Sequence, residues 1–131
     1  MIATTVEQSK KLVELGIDPD TADMYYMFHR DDGRIVAPFP YVKDGNENTG
    51  EDRLFDYLPA WSLSALMELM PSEIDDNYFL SLGKEDYKDG SVYYCCYEDC
   101  NGNNYHSFHG STAIDTVLKM IKWLKENDKD L

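Results

Sequence analysis

Apolar positions recur with two periods along this chain, and the periods divide it into helical and extended stretches. Thr4 and Thr5 stand three residues before Glu7 and Gln8, the spacing of a capping box, and Val6, Ser9, Leu12 and Val13 then share one face opposite Glu7, Lys10, Lys11 and Glu14. With Gly16 as a stop, the pattern predicts an amphipathic helix over 5–15. Between Pro59 and Pro71 the only charged residue is Glu68. Leu63, Leu66, Met67 and Met70 lie on one side and Trp61, Ala65 and Leu69 on another, so a short helix at about 62–70, with Ser62 as N-cap, must be covered nearly all round. A third helix opens at Ser111 or Thr112 and runs to about Asn127, with Ile114, Val117, Leu118, Ile121 and Leu124 inward and lysines gathered in its C-terminal half.

The remaining stretches have period 2 or punctuated aromatic runs. Met24 to Arg30 reads as a strand, Asp31-Asp32-Gly33 as a turn and Arg34 to Ala37 as its return, a first β-hairpin. Residues 38–53 carry two prolines and no apolar residue after Val42, which predicts a loop; Leu54 to Leu58 adds a short edge strand. Asn77 to Leu82, Ser91 to Glu98 and Asn104 to His109, joined at Lys88-Asp89-Gly90 and at the type I′ signal Asn101-Gly102, read as a three-stranded meander. The expected fold is α+β, one domain over 1–131 with an antiparallel sheet of about five strands and three helices on one face.

Composition bounds what such a fold does. The chain has 131 residues and a net charge of −13. Acidic residues outnumber basic ones by ten to four over 18–57 and nine to two over 58–111, whereas both ends are balanced. That distribution repels nucleic acid and anionic lipid, which need basic patches, and leaves a positively charged protein or a divalent cation as candidates. No apolar run approaches the roughly 20 residues of a membrane span, the first residues have no secretory pattern, and three cysteines do not make a disulfide framework; the expected location is the cytoplasm. A monomer and a homodimer are both compatible with this pattern.

Candidate chemistry concentrates in the predicted meander. Cys95, Cys96, Cys100, His106 and His109 have the side chains of a zinc site or of a cysteine nucleophile with a histidine base. A two-residue loop at Asn101-Gly102 would set Tyr97 opposite His106, Cys96 opposite Ser107 and Tyr94 opposite His109. Cys96, Cys100 and His109 would then share a face, but four strand residues separate the two cysteines by about 13 Å, too far for one metal. The expectation is therefore no catalytic residue, metal or cofactor; a small enzyme or zinc-binding protein using Cys96, Cys100 and His109 is the alternative. Asp44-Gly-Asn-Glu-Asn48 and Asp99-Cys-Asn-Gly-Asn103 imitate a calcium loop but lack its sixth-position glycine and twelfth-position glutamate, and read as turns.

Ten tyrosines, many at strand positions, make a tyrosine-bearing sheet face a candidate docking surface, because aromatic residues are enriched in interface cores. Tyr93, Tyr97, Tyr105 and His106 are its candidate residues. The opening Thr4 to Met24, the segment Pro59 to Pro71 and the closing Ala113 to Leu124 resemble a family of small uncharacterised proteins of gut Bacteroides-type bacteria and their phages and mobile elements. That resemblance implies no activity and no site residue. The reading is a small acidic cytoplasmic accessory protein that docks on a protein partner through an acidic or tyrosine-rich surface, one form being an acidic inhibitor that occupies a basic cleft.

Overall fold

The computed structural model describes residues 3–43 and 54–129. The chain forms two compact units, Met1–Ala65 and Leu66–Leu131.

In the first unit, α1 (Val6–Glu14) begins with the expected capping box: the Gln8 N–H donates to Thr5 Oγ1 at 3.2 Å and the Thr5 N–H to Gln8 Oε1 at 2.9 Å. It ends in a Schellman turn, Ile17 N–H to Leu12 O at 3.1 Å and Gly16 N–H to Val13 O at 3.0 Å, with Gly16 at φ 87° where a Cβ would be strained. β1 (Met24–His29) lies between β2 (Tyr41–Val42) and β3 (Phe55–Ala60), antiparallel to both. The predicted return strand at 34–37 is reduced to a single bridge, Phe28 with Ile35, on the edge of β1 that also takes β2, while β3 pairs along the opposite edge over all six residues of β1. Met24, Tyr26 and Ala60 form the buried centre, packed by Ala3, Val6, Phe28 and Leu58.

A buried hydrogen-bond knot ties this unit together at Thr4. Thr4 N–H donates to Trp61 O at 2.9 Å, Trp61 N–H donates to Thr4 Oγ1 at 3.0 Å, Thr4 Oγ1 and Ser9 Oγ share a bond of 2.8 Å, and Tyr26 Oη–H donates to Thr4 O at 2.9 Å. Thr4, Ser9 and Trp61 are fully buried. The Trp61 indole N–H reaches Thr21 Oγ1 at 3.0 Å, and Asp23 accepts from both the backbone and the hydroxyl of Ser62.

Ser62 caps α2 (Leu63–Leu69) as expected, accepting from Ala65 N–H at 3.2 Å. Only Ser64 and Glu68 of this helix are exposed, which agrees with its all-round apolar pattern. The second unit carries β4 (Glu73–Ile74), β5 (Tyr78–Tyr87), β6 (Gly90–Glu98) and β7 (Asn104–Gly110) in that spatial order, all antiparallel, followed by α3 (Ala113–Glu126). β5 runs five residues past the predicted Leu82, because pairing to β6 continues to Tyr87↔Gly90 after burial has stopped. Gly83 sits beneath the Tyr94 ring, where a Cβ would collide with it. Thr112 caps α3, accepting from Asp115 N–H at 3.1 Å. α3 packs on β6 and β7 and buries Ile114, Thr116, Val117, Met120, Ile121 and Leu124.

The class is thus α+β with antiparallel sheets and three α-helices among the described residues, but the single sheet of about five strands is replaced by seven strands in two sheets of three and four. Nor do the three helices share one sheet face: α1 packs against β3 and α3 against β6 and β7. No helix among the described residues is long and apolar enough to cross a membrane.

Replacing Thr4 by Val strands the buried Trp61 N–H. It should cost about 1–3 kcal/mol in urea unfolding, with Thr4→Ser retaining most of the stability; a Val variant as stable as the parent would show that the knot contributes little.

Candidate interaction surface

Strand alternation gives the three-stranded sheet two unlike faces. Met24, Tyr26 and Phe28 point to the packed side with Val6 of α1. Tyr25, Met27 and His29 point to the other, where the register sets Tyr25 between Tyr41 and Pro59, Met27 beside Tyr57 and His29 beside Phe55. The rings touch in series: Phe39 to Tyr41 at 6.0 Å, Tyr41 stacked on Tyr25 at 5.7 Å, Tyr25 edge-on to Tyr57 at 5.5 Å, with His29 against Phe55 at 5.3 Å. Phe39 is 59% exposed, and the other five rings are half-buried. Such offset and edge contacts hold the rings in fixed orientation. The result is an aromatic face of mutually packed rings, of the composition found at the centres of protein interfaces.

The four residues singled out from the sequence lie in the other sheet, on β6 and β7. Tyr97 is fully buried and its hydroxyl donates to Pro71 O at 2.7 Å, with burial pushing its ionisation far upward, so it offers nothing to a partner. His106 stacks parallel on Trp123 of α3 at 4.3 Å and meets Phe108 edge-on at 4.8 Å. Tyr93, two residues from Cys95 on the same side of β6, is half-buried with Lys84 Nζ 5.9 Å from its ring. Of the four, Tyr105 alone is exposed, at 41%, and it packs on Tyr78 at 4.9 Å and Trp123 at 5.9 Å. These side chains are on the face that α3 covers. Alternation alone does not say which face a later helix will choose.

The meander register otherwise falls as expected, with Tyr97 opposite His106, Cys96 opposite Ser107 and Tyr94 opposite His109. The turn differs. Asp99 N–H pairs with Asn103 O at 3.0 Å and Gly102 N–H with Asp99 O at 3.1 Å, making a three-residue loop, and a bulge at Tyr97/Glu98 places Glu98 opposite Asn104. The Asp99 carboxylate decides this: it accepts from the N–H groups of Asn101 at 2.9 Å and Asn103 at 2.8 Å, which holds its own proton affinity below the usual carboxylate range. Asp99–Asn103 is thereby a turn, as read; Asp44–Asn48 lies outside the described residues.

Cys95 and Cys96 are buried on opposite faces of β6 while Cys100 is exposed in the loop. Among the described residues no three of His, Cys, Asp and Glu are grouped to hold a metal ion, and Cys96, Cys100 and His109 are not brought together as a ligand set. Burial, with Cys96 adjacent, pushes the Cys95 thiol up to about 12; burial, then the Glu98 carboxylate, raises that of Cys96. A nucleophilic cysteine needs the opposite shift. One acidic feature escaped the sequence reading: a depression lined by Pro71, Glu73, Ile74, Asp75, Asp76, Asp128 and Lys129, in which Lys129 Nζ bonds Asp75 at 3.0 Å. Its three aspartates have φ of 50°, 68° and 55°, a backbone choice with no side-chain pattern to betray it.

Compared with protein-family models, curated proteins and solved structures, the chain has no significant match.

Two measurements check the thiol assignments. In the native protein one cysteine, Cys100, should react with an aromatic disulfide reagent and all three after unfolding; rapid native labelling of Cys96 would overturn its burial. The unfolded Cys95 thiol ionises near about 8.5, whereas the folded one keeps its proton to about 12. Its contribution to stability is therefore complete below the lower value and lost as pH rises between them, by about 1.4 kcal/mol per pH unit. Cys95→Ala should flatten the alkaline fall in stability relative to the parent by that slope.

Proposed function

We propose that the chain is a small protein-interaction module, working in the cytoplasm, that docks on a protein partner through the aromatic face formed by Tyr25, Phe39, Tyr41, Phe55 and Tyr57. The observation that carries this is the continuous ring series on the side of the sheet opposite Met24 and Tyr26, ending in Phe39 at 59% exposure. Ordered aromatic side chains lose little conformational entropy on binding, which favours them as anchors. The net charge of −13 selects the partner's chemistry: an apolar contact ringed by lysine and arginine, with a basic cleft as one form. Three unpaired cysteines fit a reducing compartment.

Phe39→Asp alters an exposed side chain and should leave the fold intact by circular dichroism, yet weaken capture of the partner from host extract at least about tenfold. Val13→Asp, at an exposed position of α1, should leave capture unchanged, and capture by the parent should weaken as salt rises. Equal capture by both variants would remove the aromatic face from the interface; indifference to salt would remove the basic partner.

A further inference from the structure

The two sheets have four edge strands, and three of them are blunted; β4 covers only Tyr78 and Phe79 of β5, whose remaining edge carries Lys84, Glu85 and Asp86. β2 and β4 are two residues long, and β3 carries Pro59 together with the Arg30–Asp56 ion pair at 3.0 Å. β7, the terminal strand of its sheet, has seven residues, Asn-Tyr-His-Ser-Phe-His-Gly, with no proline and no carboxylate, lysine or arginine. Its ends are marked: the bulge at Tyr97/Glu98 lies near one, and Lys119 Nζ donates to His109 O at 2.8 Å at the other. Between them, over His106–Phe108, runs a short regular edge whose outward N–H and C=O groups are of the kind that accept another strand. β7 also borders a depression of about 260 Å³ on the face away from α3, to which it contributes Asn104, Ser107 and His109, and β6 and β5 contribute Glu98, Tyr94 and Glu85. Neither glutamate has an ion pair among the described residues.

We infer that β7 is a strand-addition site for an extended basic segment of a partner protein, with backbone pairing centred on Ser107, between the bulge at Tyr105 and the His109 carbonyl that Lys119 holds, and alternate lysine or arginine side chains reaching over β7 to the Glu98 carboxylate. The occupant follows from charge and spacing. An added strand lies about 4.8 Å beyond β7 and about twice that from β6, a span that the long cationic side chains cover together with a glutamate. Over 58–111 acidic residues outnumber basic ones nine to two, so a second copy of this chain would bring like charge to the same edge. Strand addition supplies affinity through the main chain, and the alternating cations supply the selection. The inference concerns the second unit alone and does not depend on the aromatic face of the first.

The test titrates the intact protein with a fluorescent nine-residue peptide alternating lysine and valine, at low salt, reading anisotropy. Controls are the same peptide N-methylated at alternate residues on one edge, then on the other, and a glutamate–valine counterpart. The lysine peptide should bind, N-methylation of the pairing edge should weaken it at least about tenfold through lost backbone hydrogen bonds, and Glu98→Gln should weaken it about two- to fivefold. The glutamate peptide should not bind. Binding that ignores N-methylation of either edge would reduce the effect to bulk charge and overturn strand addition. Equal response to both peptides, or to neither, would overturn the basic occupant. A concentration-dependent dimer that the peptide fails to dissociate, with the β7 amides protected from hydrogen exchange only in the dimer, would assign the edge to a second copy instead.

Discussion

A fully buried threonine holds the first unit in register. Thr4 uses its N–H, its carbonyl and its hydroxyl, and the groups they meet belong to Ser9, Tyr26 and Trp61, so the start of α1, the middle of β1 and the end of β3 are joined at one residue. Hydrogen bonds of this kind add modest net stability when made, yet a buried donor left unmade is costly. That asymmetry makes the knot specific: a register shifted by two residues would keep each side chain on its face but strand polar groups away from water. Among the described residues every buried side-chain nitrogen and oxygen has a partner.

With that register set, the two sides of the three-stranded sheet are committed to different roles. One takes Met24, Tyr26 and Ala60 out of water. The other lines up Tyr41, Tyr25 and Tyr57 across three strands, where their rings constrain one another. The same alternation acts in the four-stranded sheet, where α3 takes the side bearing Cys95 and Tyr97 and the opposite side keeps Glu85, Glu98 and His109 around a shallow depression. Acidic charge therefore stays at the surface, while the cysteines that resemble a reactive pair are withheld from solvent and held protonated.

An acidic surface and an aromatic surface do different work in association. Charge extends beyond a molecular diameter at low salt and raises the rate of encounter, whereas rings act only in contact and slow departure. A chain with both surfaces keeps charge away from an apolar contact, at whose centre desolvation would offset the attraction.

The local determinants were legible in the sequence. The capping box at Thr5, the Gly16 stop, the Ser62 and Thr112 caps and the meander pairings from Tyr94 to Tyr97 follow from side chains close in sequence or from period-2 pattern, and each appears as read. The all-round apolar pattern of 61–70 likewise announced a covered helix. What only the tertiary structure decided is long-range choice. β1 takes the near Ile35 and β2 on one edge and the distant β3 on the other, and no local pattern announced that β3 would lie beside it. Five strands could make one sheet, but seven formed two. α3 chose one side of the meander and thereby buried Tyr97 and stacked Trp123 on a half-buried His106. Local pattern reports which side chains share a face; which face meets water depends on partners far away in sequence, and no period encodes them.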